Sequence, residues 1–244
     1  MDDKRTNIEY DIADVVIGRP HGFSVGRKHF NLFPVTLAKM YLLKRQIDVL
    51  DINQDILKVN PYMEALRLAK KDRKTCCHIL AYHTAPNTKK DLFDQKAVTT
   101  RRNFFEKELT DEEMATMLIV ALTSDKTDII MRHLGLDEEK KRMAKVMEIK
   151  RRHDTNNMSF GGLSVFGTFI GQLKEMGYSD DEILFEKGYE YLRLMLADKV
   201  TSIYLTDDEK NEVPALDSGG IDASDPANAQ KILNTLKAKK VKAE

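Results

Sequence analysis

Cys76 and Cys77 open the segment CCHILAYH, whose two thiols and the imidazole of His83 are residue types that can bind zinc or build a covalent nucleophile. The spacing argues against both. On a helix adjacent cysteines diverge by about 100°, and Cys76 lies about two turns from His83, so the three groups do not converge on one ion. No second ligand pair occurs elsewhere, and no glycine elbow surrounds either cysteine. The thiols read as small buried hydrophobes and His83 as a satisfied core residue. Gly162-Leu-Ser-Val-Phe-Gly167 has the two-glycine spacing of a phosphate loop, but Thr168-Phe169 follow where that loop needs lysine and then a hydroxyl. Asp180-Asp181 and Asp207-Asp208 stand at helix starts, where they complement the macrodipole. No metal, cofactor or enzymatic activity is expected.

The glycine-dense stretch SFGGLSVFGTFIG (159–171) has a steric reading. Gly167 and Gly171 are one helical turn apart, so their missing side chains are expected to let another helix approach closely. Phe166, Phe169, Ile170 and Leu173 would surround that groove with bulk, and Gly161-Gly162 would be the hinge leading in. A basic cluster is the other concentration of functional groups: Lys140, Lys141, Arg142, Lys145, Lys150, Arg151 and Arg152, backed by Arg67, Lys70, Lys71, Arg73 and Lys74. Basic helices can neutralise phosphates. Asp137, Glu138, Glu139 and Glu148 interleave with these cations, and no aromatic platform accompanies them. A solvated helix face is expected, with a nucleic-acid surface as the alternative.

The elements that would carry these groups are mostly helices. GFSVGRKHFNLFP (22–34) gives two alternating runs around Gly26-Arg27-Lys28, a hairpin signal, with Phe30 and Leu32 on one face and His29 and Asn31 on the other. ADVVIG (13–18), being β-branched, is expected to be extended as well. From Thr36, an N-cap, Met40, Leu43, Ile47 and Leu50 form a helical stripe with Lys39, Arg45 and Asp48 off it. Asn60-Pro61 starts a helix running to about Thr84, and the segment 87–108 is left unassigned. Thr110 to Glu113 is a capping box before a helix with Met114, Met117, Leu118, Ala121 and Leu122 inward, and 126–134 and 137–153 follow as helices. A helix ends near Met176 with Gly177 beyond it, and Ser179 to Glu182 caps one long helix over 180–205, apolar around most of its circumference.

The expected fold class is therefore mainly α: an N-terminal β hairpin region (1–35), a multi-helix bundle (36–205) and a flexible tail (206–244) with a weak helix from about Pro226. The 244 residues, 42% hydrophobic and 32% charged, suffice to bury a core. Lysine plus arginine equal aspartate plus glutamate at 39 each, which removes any global attraction to nucleic acid or an anionic membrane. MDDKRTNIEY lacks signal-peptide features, no apolar run approaches about 18 residues, and the adjacent cysteines build no disulfide framework. A cytoplasmic protein that does not enter membranes is expected.

FNLFPVTLAKMYLLKRQIDVL, the helical middle, and LKEMGYSDDEILFEKGYEYLRLMLAD taken in order resemble the tail assembly chaperones of long-tailed bacteriophages. Those proteins run from a short strand pair through proline and threonine into a helix. Near the C-terminal end they carry a glycine-aromatic turn, here Gly177-Tyr178, although the aromatic is more often tryptophan. The resemblance implies a protein of the host cytoplasm that coats hydrophobic helical segments of the tape-measure protein, without ATP. A client helix would then lie in a groove rimmed by Phe166, Phe169, Ile170, Leu173, Leu184, Tyr191 and Met195, and the eleven methionines would make such a surface adaptable. A homo-oligomer, a structural tail or connector subunit, and a nucleic-acid-associated protein using Lys140, Lys141, Arg142, Lys145, Arg151 and Arg152 remain open alternatives.

Overall fold

The computed structural model describes residues 2–123, 125–153, 164–206 and 208–209, with backbone alone at 2–6. The expected hinge at Gly161-Gly162, the first glycine of the phosphate-loop spacing and nearly all of the expected tail lie outside the described residues. The chain divides into two units, one from the described residues of Met1–Glu138 and Ser159–Val200, the other from those of Glu139–Met158 and Thr201–Glu244. The fold is mainly α, with one two-stranded antiparallel hairpin near the N-terminus.

The first unit opens with helix α1 (Asp2–Ile17), which corrects the expected extended run at 13–18. Ile8, Ile12 and Val15 recur at helical spacing and are half-buried, and that periodicity outweighs the strand preference of Val15, Val16 and Ile17. Gly18 ends α1 at φ +64, where other residues are strained. β1 (His21–Val25) and β2 (Lys28–Leu32) pair with Val25 opposite Lys28. Gly26 is at φ +57 and Arg27 is not positive, the φ signature of a type II′ turn. Phe23 and Phe30 stack across the strands at 5.8 Å, and Phe30 meets Phe105 of the bundle at 4.8 Å.

α2 (Leu37–Ile47) begins where Thr36 accepts the Lys39 N–H. Asn53 caps α3 (Gln54–Val59) and Asn60 caps α4 (Pro61–Lys71). The single helix expected from 61 to 84 is broken at Asp72, whose carboxylate caps α5 (Arg73–His83) by accepting the Thr75 N–H. α5 is the unit's central helix: Cys76, Cys77 and Ile79 through Ala85 are buried, and it packs against α2, α4, α7 and α8. The segment left unassigned forms α6 (Lys89–Phe93) and α7 (Gln95–Glu108), capped by Thr88 and Asp94. α8 (Asp111–Leu122) starts with both bonds of the expected capping box. Its Met114, Leu118 and Ala121 are buried as expected, whereas Leu122 is exposed. α9 (Thr127–His133) and α10 (Leu136–His153) follow.

Arg73 locks the bundle at the α7–α8 junction. Its guanidinium pairs with Asp111 at 2.6 Å and donates to the carbonyls of Glu106 and Leu109. Arg73→Ala is expected to cost about 2 kcal/mol, read as a lower urea midpoint, because three acceptors lose a charged donor. Lys74→Ala, at an exposed neighbour, should leave the midpoint in place.

After a π-helical turn at Phe166–Ile170 comes α11 (Gly171–Glu175). Gly177 N–H to Lys174 and Tyr178 N–H to Leu173 complete a Schellman ending, with Gly177 at φ +94. Ser179 and Glu182 exchange the two bonds of the expected capping box, but the helix after them is a π-helical turn, Glu182–Glu186. The long helix expected over 180–205 is not continuous. It breaks at Lys187-Gly188, where Tyr189 N–H donates to Val35 at 2.7 Å, and resumes as α12 (Tyr189–Ala197). In the second unit, Lys150 of α10 donates to the Tyr204 carbonyl at 2.7 Å and pairs with Glu209 at 3.6 Å.

Candidate functional site

The residues expected to rim a client groove instead close on one another. Leu173 is fully buried with Leu37, Ile183 and Leu192, and Phe169, Ile170, Leu184 and Tyr191 pack around that nucleus. The Phe169 ring lies 5.3 Å from Tyr189, and the Tyr191 and Tyr178 hydroxyls are 3.2 Å apart. Met195 is half-buried, and Phe166 alone of the set stands well into solvent, 73% exposed. Most of the expected rim is therefore a small second core. The helix-packing role expected for the glycines is also corrected. Among the described residues, a Cβ on Gly171 would meet the Phe166 carbonyl of its own π turn at 3.1 Å and no atom of another helix, and Gly167 is exposed.

A different cleft lies in the first unit, with a volume of about 380 Å³. Met40, Leu43 and Ile47 of α2 form one wall, and Val120, Ala121 and Leu122 of α8 another. Leu32 to Val35 follow from the hairpin, Tyr189 and Tyr191 from α12, and Asp11, Asp14 and Val15 from α1. The α2 stripe was legible in the sequence; that α8 lines the same cleft was not, since the two come together only through the fold. Tyr191 is the one expected rim residue that also lines this cleft.

Charged side chains among the lining are compensated in pairs. Lys44 meets Asp48 at 2.9 Å, Arg19 meets Asp14 at 3.4 Å, and Lys126 meets Asp11 at 2.5 Å. Burial raises the Glu190 carboxyl while the Lys126 N–H, donating at 2.6 Å, pulls it back down. Arg193 fastens α12 to the start of α9 through Asp125 at 3.3 Å and Asp128 at 3.2 Å. His83 lines the cleft, and burial together with the nearby Lys39 pushes its imidazole down to about 3. It is uncharged at neutral pH.

Lys39, expected on the polar side of α2, is fully buried. Its ammonium donates to the Ala85 carbonyl at 2.8 Å and to that of His83 at 3.5 Å, covering the C-terminal end of α5 where carbonyls lack intrahelical partners. Hydrophobic periodicity counts lysine as polar, but its stem packs as hydrocarbon. Burial, with help from Arg101, lowers the amine to about 7.

Cys76 and Cys77 are fully buried, and desolvation pushes both thiols up to about 12, which leaves them unreactive thiols. Among the described residues no group of three His, Cys, Asp or Glu side chains could hold a metal ion. On α10, Lys140, Lys141, Lys145, Arg151 and Arg152 are exposed, while Arg142 is half-buried and pairs with Glu139 at 3.0 Å. No helix among the described residues is long and apolar enough to cross a membrane. Comparison with protein-family models, with curated proteins and with solved structures gives no match.

Proposed function

We propose that this chain is a non-enzymatic binding protein that takes an apolar face of a client helix into the cleft between α2, α8, the hairpin and the start of α12. The observation that carries this reading is the make-up of the cleft: aliphatic side chains and Met40 line much of it, and charged residues among its lining are paired. Area burial against such walls, about 25 cal/mol per Å² before ordering costs, holds a helix with broad specificity. The resemblance to phage tail assembly chaperones supplies the particular client, hydrophobic helical segments of a tape-measure protein kept soluble in the host cytoplasm. The cleft replaces the expected rim around Phe169 as the proposed contact surface, because that rim is occupied by the chain itself.

Titration with a dansylated model peptide bearing leucines at helical spacing tests the reading. Val120→Asp, at a cleft residue already 46% exposed, is expected to weaken binding about tenfold or more, since a carboxylate there must be desolvated. Phe166→Asp should leave it unchanged. Equal binding by the Val120 variant and the parent rejects the cleft. The exposed cations of α10 support a second reading, a nucleic-acid-associated protein, which requires duplex binding that falls steeply with salt.

A further inference from the structure

The cleft lining carries an acidic excess that the chain as a whole lacks. Five carboxylates, Asp11, Asp14, Asp48, Asp125 and Glu190, stand there against the cations Arg19, Lys44 and Lys126, whereas basic and acidic residues balance over the full sequence. Four of those carboxylates have a basic side chain within ion-pair distance: Lys126 for Asp11, Arg19 for Asp14, Lys44 for Asp48 and Arg193 for Asp125. Glu190 has no such partner among the described residues. Its Oε1 accepts the Lys126 backbone N–H at 2.6 Å. The two cations whose charge reaches it are engaged elsewhere, Lys126 with Asp11 and Arg193 with Asp125 and Asp128.

The place of that carboxylate in the cleft gives it consequence. Tyr189, whose N–H donates to Val35, sets Glu190 beside the start of α2, while Lys44 and Asp48 lie about two to three turns further along that helix. Tyr189 and Tyr191 on either side of Glu190 also line the cleft. Glu190 is half-buried, and burial, with Asp125 adding to it, raises its carboxyl against the opposing pull of the Lys126 N–H, Lys126 and Arg193. The charged form is therefore short of compensation where it stands. A helix laid over the cleft removes more water from it, and a purely apolar stripe would strand the charge. A cation carried by the client removes that penalty and adds a charge-assisted hydrogen bond.

We propose that Glu190 is a specificity-determining residue of the cleft: it pairs with a lysine or arginine flanking the apolar stripe of the client helix, so that the cleft selects basic amphipathic helices over neutral or acidic ones. The inference rests on reading the cleft as a helix-binding site. Area burial holds the helix, and the ion pair sorts among helices with the same apolar face.

Three dansylated helical peptides that share one leucine stripe and carry lysine, glutamine or glutamate at both of its flanks test this in the full chain. The parent is expected to bind the lysine peptide about fivefold more tightly than the glutamine peptide, and the glutamate peptide more weakly than either, with the lysine advantage shrinking as salt rises. Glu190→Gln keeps an acceptor for the Lys126 N–H and should bring the lysine-to-glutamine ratio to about one. Glu112→Gln, which removes an exposed carboxylate of α8 outside the lining, should retain the parent ratio. Equal affinity of the parent for the lysine and glutamine peptides overturns the proposal and leaves the cleft reading standing. A lysine advantage that survives in folded Glu190→Gln overturns it as well, since another carboxylate then does the sorting. The comparison of peptides on the parent needs no variant and decides the matter even where a variant does not fold. Binding of none of the three peptides removes the cleft reading, and this inference with it.

Discussion

Acidification from pH 6.5 to pH 4 is expected to remove about 3 kcal/mol of stability through His83 alone, a large share of a small unit's total. The imidazole is buried against the cleft, and desolvation, then Lys39, lower it from 6.5 to about 3. Between those values the unfolded chain holds a proton that the folded chain refuses, so stability falls as pH drops through this window and is complete above it. Lys39 acts in a second window. Its amine lies at about 7 when folded against 10.5 for an ordinary lysine, again with the unfolded chain binding more protons between the two. Stability should therefore climb by about 2 kcal/mol from pH 7 to pH 9, where many proteins are level. Urea midpoints across pH check both. His83→Leu should flatten the acid slope relative to the parent, and Lys39→Met the alkaline one. An acid slope identical in parent and His83→Leu would assign the loss to carboxylates instead.

Local chemistry was the legible part of this fold. The hairpin turn at Gly26, the Thr36 cap, the capping box at Thr110 and the ending at Gly177 are each written in three to five adjacent residues, and each formed. What could not be read depended on distant partners. Gly188 breaks the last helix because Thr36 bridges to it and Val35 accepts the Tyr189 N–H, a pairing between positions far apart in sequence. Asp72 splits α4 from α5 by capping, a signal hidden inside an otherwise continuous apolar stripe. The π turns carry no periodic signature of their own, and the glycine at 171 answers to one of them. The expected groove failed for a related reason. An apolar helix circumference shows that burial is needed but not by what, and here α2 supplies Leu37 and Met40 to cover it. The burial of Cys76 and Cys77, by contrast, was readable, because a free cysteine inside a helical apolar stripe packs as a small hydrophobe.

Glu64→Ala is expected to destabilise the first unit by about 3 kcal/mol, the largest effect foreseen for any single charged side chain in it. Glu64 is fully buried on the face of α4 that also carries Ala65, Leu68 and Ala69. Its carboxylate accepts Arg67 Nε at 2.8 Å, Arg67 Nη2 at 2.6 Å and the Asn53 N–H at 2.7 Å. Arg67 also donates to the Asp51 carbonyl, so one carboxylate ties the 51–53 turn and the start of α3 to α4. The Arg67 hydrogen bond holds the Glu64 carboxyl below its ordinary range against the opposing effect of burial. Alanine strands a backbone N–H and a partly buried guanidinium together, whereas Glu64→Gln keeps an acceptor and should cost less. Glu64→Ala with Arg67→Ala should cost less than the sum of the two single changes, because the second no longer strands a charge. Urea midpoints of the four chains give the coupling, and exchange at the α3 amides should rise most in Glu64→Ala. A single-variant loss below about 0.5 kcal/mol would mean that the turn is held by its own Asn53 cap and that the buried carboxylate is incidental.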